Sequence, residues 1–166
     1  MDKFACSQAP ELDLPRCHEK IAGILAYWRS LRPGPGVFPG RQHFDPAAVA
    51  PLLPCIRLYD VFREPWRFRY RLVGTELVRH LGRDLTGTWF GENVPDEAQS
   101  KSYRDLVFVA SGKGLSYHRG YPAYTQAHKD HLSAERILLP LAKNGHDVDM
   151  ILGLSVLHAA VARQVA

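Results

Sequence analysis

Residues 66–73 read Trp-Arg-Phe-Arg-Tyr-Arg-Leu-Val, in which Trp66, Phe68, Tyr70 and Leu72 alternate strictly with Arg67, Arg69 and Arg71. Successive side chains point to opposite sides only in an extended strand, so this segment is expected to bury one face and wet the other. A sheet with one solvated face is characteristically antiparallel. The rest of the chain therefore has to supply a layer for the apolar side of this strand.

The flanking residues supply strand partners. Cys55 to Phe62 is rich in β-formers, and Arg63-Glu64-Pro65 reads as the turn joining it to the arginine strand. Upstream, Ile21, Ile24, Leu25, Trp28 and Leu31 recur at helical spacing as one apolar stripe, which Pro33-Gly34-Pro35-Gly36 ends. Asp45-Pro46 reads as a cap opening one short turn that Pro51 and Pro54 close. After Gly74, Thr75 is expected to cap a short helix carrying Leu77, Val78 and Leu81 and closed by Gly82. A longer helix is expected from Pro95 to about Ala110, with Asp96 and Glu97 in its first turn. Three more strands follow: Leu115 to Tyr121, about Ser133 to Leu141, and Asp147 to Leu157. Asn144-Gly145 makes the turn between the last two, and the apolar run from Met150 to Leu157 suits a central strand covered on both faces.

Helix, two strands, short helices, a longer helix and three strands make an α+β fold. The expectation is a five-stranded antiparallel sheet with helices on one face, a cavity between them, and an extra N-terminal helix. Residues 1–16 read as a loose arm, 17–160 as one domain, and 161–166 as a tail. The chain of 166 residues is long enough to bury a core without staples. Three cysteines with no CxxC pair suit a reducing cytoplasm. No long apolar run marks a leader or a membrane span. The net charge of +4 is mild, and the Arg67, Arg69, Arg71 ridge is its densest expression. Glu64, Glu76 and the strand bearing Glu135 are available to neutralise that ridge, so nucleic acid is not an expected partner.

This order of elements resembles the PAS fold. More narrowly, the chain is similar to a PAS-like domain family common in alphaproteobacteria. The matching stretches are Phe44-Asp45-Pro46 with Leu53-Pro54, Arg67 to Thr75, Gly82 to Gly87, and Leu138-Leu139-Pro140-Leu141 followed by Val148-Asp149-Met150. The resemblance implies a sensory or scaffolding module that binds a small ligand or an unidentified signalling protein, with no catalytic residues. Haem in such domains is held by a histidine on the long helix, and residues 95–112 contain none. A flavin photosensor needs a cysteine between the second and third strands, whereas the cysteines here are Cys6, Cys17 and Cys55. Neither haem nor flavin is therefore expected.

Other constellations read as structure. Gly82-Arg83-Asp84-Leu85-Thr86-Gly87 lacks the phosphate-loop pattern, and Asp84 suits a local cap. His128 and His131 stand at i, i+3 with no third ligand at fixed spacing, so no metal site is expected. Asp147 and Asp149 sit next to a turn and read as solvated or capping side chains. The aromatic set Trp89, Phe90, Tyr103, Phe108, Tyr117 and Tyr121 is the candidate lining for a small, mostly apolar ligand; an ordinary filled core is the alternative. The stripe of Ile21, Ile24, Leu25, Trp28 and Leu31 must be covered either by its own sheet or by a second chain, and a homodimer through it is expected. A small isomerase or dehydratase using an Asp or Tyr in an apolar pocket is the third reading.

Overall fold

The arginine strand lies at one edge of a six-stranded antiparallel sheet. The computed structural model describes residues 5–9, 14, 16–92, 100–120 and 133–158. Its strands are β1 (Ala5–Ala9), β2 (Ile56–Phe62), β3 (Arg67–Val73), β4 (Leu115–Gly120), β5 (Ser133–Leu141) and β6 (Met150–His158). Its α-helices are α1 (Glu19–Ser30), α2 (Thr75–Leu81) and α3 (Lys101–Ala110). The strand order is β1-β4-β5-β6-β2-β3. The five expected strands are all present, and the apolar β6 is central as its composition requires.

The sixth strand corrects one expectation. Residues 5–9 of the supposed loose arm pair with β4, from Ala5 opposite Arg119 to Ala9 opposite Leu115. The other edge is covered as well. Beyond β3, the amide of Tyr70 donates to Thr88, that of Gly87 to Tyr70, and that of Phe90 to Phe68. The segment 87–90 thus occupies backbone groups of Phe68 and Tyr70 on the outer side of β3.

Helices cover both faces. Helix α1 lays Ile21, Ile24, Leu25 and Trp28 on Leu115, Tyr117, Ile137, Leu139, Leu141, Leu152 and Leu154. The indole nitrogen of Trp28 donates to the Pro140 carbonyl at 2.9 Å. Those four side chains are 0–4 % exposed, and Leu31 is half-buried. The stripe expected to pair two chains is thus covered by the chain's own sheet, each fully buried side chain contributing about 1.5–3 kcal/mol. Helices α2 and α3 cover the opposite face, where Tyr59, Phe68, Tyr70, Val73, Leu77, Leu106, Val109, Leu138 and Ile151 pack together.

Local chemistry sets the ends of these elements. Asp45 caps by accepting from the Ala47 amide at 2.9 Å, as expected. The turn it opens does not stop at Pro51, however: helical turns continue to Cys55 across a kink at Val49 (φ −126°, ψ 24°). Gly82 closes α2 at φ 75°, and Asp84 caps the Thr86 amide at 2.9 Å. Helix α3 begins later than expected, capped by Ser100, whose Oγ accepts from the Tyr103 amide. Pro95, Asp96 and Glu97 lie outside the described residues. In the β5–β6 turn, Asp149 caps by accepting from the Lys143 backbone amide, while the Asp147 carboxylate accepts from the Asn144 side-chain nitrogen.

The alternation in β3 breaks once. Tyr59 faces Tyr70 and Leu58 faces Leu72, which leaves Arg71 without an opposite residue, a β-bulge. Val73 takes the next core position. Leu72, expected inside, is turned to the arginine face and is 43 % exposed.

Candidate functional site

The layer between the sheet and helices α2 and α3 has an aromatic half and a polar half. In the aromatic half, alternation sends Tyr59 from β2 and Phe68 and Tyr70 from β3 inward. Phe90 is at the hub: its ring lies 6.3 Å from Tyr59, 6.0 Å from Tyr70 and 6.5 Å from Tyr103, centroid to centroid. Tyr103 also meets Phe68 edge-on at 5.8 Å, and its hydroxyl donates to the Trp66 carbonyl at 3.0 Å. Phe108 packs against the same cluster.

The polar half runs across the central strands. His118 on β4 faces Arg136 on β5, and Arg136 faces Ser155 on β6. Arg57 on β2 faces Gly153 and reaches one step further to donate to Ser155 Oγ. A Cβ at position 153 would lie 3.1 Å from Arg57 Cγ and 3.2 Å from Leu138 Cδ2, so a larger residue there would press on the Arg57 side chain along this path. From the helix side, Asp105 accepts from Arg136 at 2.5 Å and from Lys101 at 3.0 Å, and Ser102 accepts from Arg136 at 2.8 Å. Asp105 is 1 % exposed, and two cations compensate its burial. Ser116 Oγ, on the same sheet face, is buried and makes no hydrogen bond among the described residues. Guanidinium and hydroxyl donors in a water-poor layer suit a carbonyl or carboxylate oxygen.

Of the residues singled out from sequence, the structure brings Phe90, Tyr103 and Phe108 to this layer. Trp89 and Tyr117 go elsewhere. Trp89 bridges to Arg69 on the arginine face, under the Arg67 guanidinium at 3.8 Å and edge-on to Phe62 at 5.1 Å. Tyr117 follows the alternation of β4 onto the α1 face, where its hydroxyl donates to buried Glu135 at 3.0 Å. Tyr121, His128 and His131 lie outside the described residues. The expected neutralisers of the arginine ridge are also replaced: Asp60, directly opposite Arg69, binds Arg69 at 3.0 Å and Arg71 at 3.2 Å. Sequence reasoning missed Arg57, Arg136, Asp105, Ser116 and Ser155. One signal was available, since Arg136 shares its alternation with Leu138 and so had to face inward.

Two titratable clusters flank α1. Glu135 accepts from the His18 backbone at 2.7 Å and from Tyr117, with His158 Nε2 3.3 Å away. Burial, then the Glu135 charge, pushes the Tyr117 hydroxyl well above its ordinary range and raises the Cys17 thiol in the same way. Nearby, Lys20 Nζ donates to Cys55 Sγ at 3.3 Å, and the thiol donates to Glu76 at 3.1 Å. Burial, followed by that bond to Glu76, raises the Cys55 thiol, so neither cysteine is an activated nucleophile. Among the described residues, no group of three or more His, Cys, Asp and Glu is placed to hold a metal ion. Nor is any described helix long and apolar enough to cross a membrane.

A family model described as PAS domain matches residues 16–156. No curated protein and no solved structure matches the chain.

Proposed function

The chain belongs to the PAS domain family, and from that premise we propose that it is a sensory or regulatory module whose small ligand occupies the layer between the sheet and helices α2 and α3. The ligand is mostly apolar, lying against Phe90, Tyr103 and Phe108, with one oxygen-bearing end directed to the polar row. The observation that carries this reading is Ser116 Oγ, a buried hydroxyl in that layer with no hydrogen bond among the described residues. Buried polar groups are otherwise nearly always satisfied, and a ligand oxygen or an ordered water is what completes such a group. Occupancy would act on α3 through Asp105, which the same row of side chains holds, and from there on a signalling partner.

A second reading, a protein–protein scaffold with a filled core, is favoured by the mutual packing of the rings around Phe90. An enzymatic role has less support. The buried Tyr117–Glu135 pair is the kind of group a small isomerase uses, but it lies on the α1 face, with His18 at the start of α1 donating to the same carboxylate. Native mass spectrometry of freshly purified protein separates the first two readings. A mass above 18.7 kDa per subunit supports the sensory module. A bare mass that no added small carboxylate or neutral apolar compound raises supports the scaffold.

A further inference from the structure

The outer face of the β2–β3 hairpin combines charge and exposed apolar surface in a way that the ligand layer does not use. Cross-strand pairing places Phe62 opposite Arg67, Asp60 opposite Arg69 and Leu58 opposite Leu72 on one face. The bridge from Arg69 to Trp89 widens that face by one more residue. Phe62 is 40 % and Leu72 43 % exposed, and they are the large hydrophobic residues most open to solvent among those described. Between them stand Arg67, Arg69 and Arg71, with Asp60 as the acid that answers the last two.

The rings hold the arginines in place. The Arg67 guanidinium lies 3.8 Å from the centre of Trp89, and Arg69 lies 5.7 Å from the centre of Phe62. Stacking fixes the plane of a guanidinium while leaving its edge donors free for a carboxylate, which lowers the ordering cost of binding. Arg67 forms no ion pair among the described residues. The bulge at Arg71 adds Leu72 to this surface. A strand serving only as a solvated edge has no need of a leucine there.

We propose that this face docks an acidic protein segment whose carboxylates meet Arg67 and Arg71 and whose apolar side chains cover Phe62 and Leu72. Three arginines against one aspartate leave the face positive, which fixes the sign of the partner. A single-stranded nucleic acid fits less well. Arg67 already occupies a face of Trp89 on which a base would stack, and Asp60 stands in the middle of the arginines where it repels phosphate.

The test is selection of a displayed random-peptide library on the full chain, followed by solution affinities of the recovered peptides. The expected result is peptides rich in Asp and Glu interspersed with Leu, Phe or Trp. Their affinity falls about tenfold or more in Arg67→Glu and stays unchanged in Lys113→Glu, which makes the same charge change on an exposed turn residue. Circular dichroism confirms that both variants fold. Recovery of no binder, recovery of neutral or basic peptides, or insensitivity to Arg67→Glu overturns the proposal. So does tighter binding of oligothymidylate to this face, or self-association that Phe62→Ser abolishes.

Discussion

Arg136 on β5 and Asp105 on α3 meet at 2.5 Å in the layer between sheet and helix, where Asp105 is almost wholly buried. This ion pair ties α3 to the sheet, and Lys101 on the preceding turn also reaches Asp105 at 3.0 Å. Removing either partner takes the nearest counter-charge from a largely buried group, with Lys101 still beside Asp105 when Arg136 is replaced. Asp105→Ala and Arg136→Ala are each expected to cost about 3–5 kcal/mol in urea unfolding, while the double change Asp105→Leu with Arg136→Met recovers most of that loss. Additive losses in the double variant would show that the two residues do not act as a pair.

Helix α1 provides a second test. Its stripe faces its own sheet, so Ile24→Ala opens a cavity and costs about 2–5 kcal/mol. That loss is expected to be independent of protein concentration. If the stripe served as a dimer interface, the apparent stability would rise with concentration.

Two glycines are expected to respond with opposite signs. A Cβ at Gly74 would overlap the backbone carbonyls of Leu53 and Pro54, where α2 begins against the preceding turns. Gly74→Ala should lower the unfolding free energy by about 1–3 kcal/mol. Gly23, exposed in the middle of α1, meets nothing closer than Leu52 Cδ1 at 3.9 Å. Gly23→Ala should raise stability by about 0.5–1 kcal/mol.

Tyr117 makes stability sensitive to alkali. Its folded pKa lies above the ordinary 10.0 because burial and then Glu135 disfavour the phenolate. The unfolded chain therefore loses this proton first. The contribution is fully present below pH 10 and is lost as the pH rises from there toward the folded value. Tyr117→Phe is expected to flatten this decline in equilibrium unfolding between pH 9.5 and about 11. An unchanged slope would mean that the hydroxyl is neither buried nor held by Glu135.

Much of this architecture is legible in local pattern, and what is not depends on pairing across long distances. The alternation of residues 66–73 marks β3 in sequence, but its bulge does not show, because Leu72 continues the apolar rhythm and only the register with Leu58 and Tyr59 turns it outward. The stripe of α1 is visible, whereas the face it covers depends on strand order. Ala5–Ala9 carries no strand signal of its own, and it is β4's open edge that pairs it. The same limit applies to the ligand layer. Its aromatic half follows from residue type, with Trp89 and Tyr117 misplaced because strand faces were not yet known. Its polar half depends on Arg136 finding Asp105, 31 residues earlier in the chain, and Arg57 finding Ser155, 98 residues later.

The most direct test of a ligand layer is an amide NMR titration of the full chain with a panel of small aromatic and aliphatic carboxylates and their uncharged amides. Saturable shifts confined to Phe68, Phe90, Tyr103, Ser116 and their neighbours, lost in Phe90→Ala, are the result expected of a sensory module. Spectra that no compound in the panel perturbs at these residues would contradict it and leave a filled core.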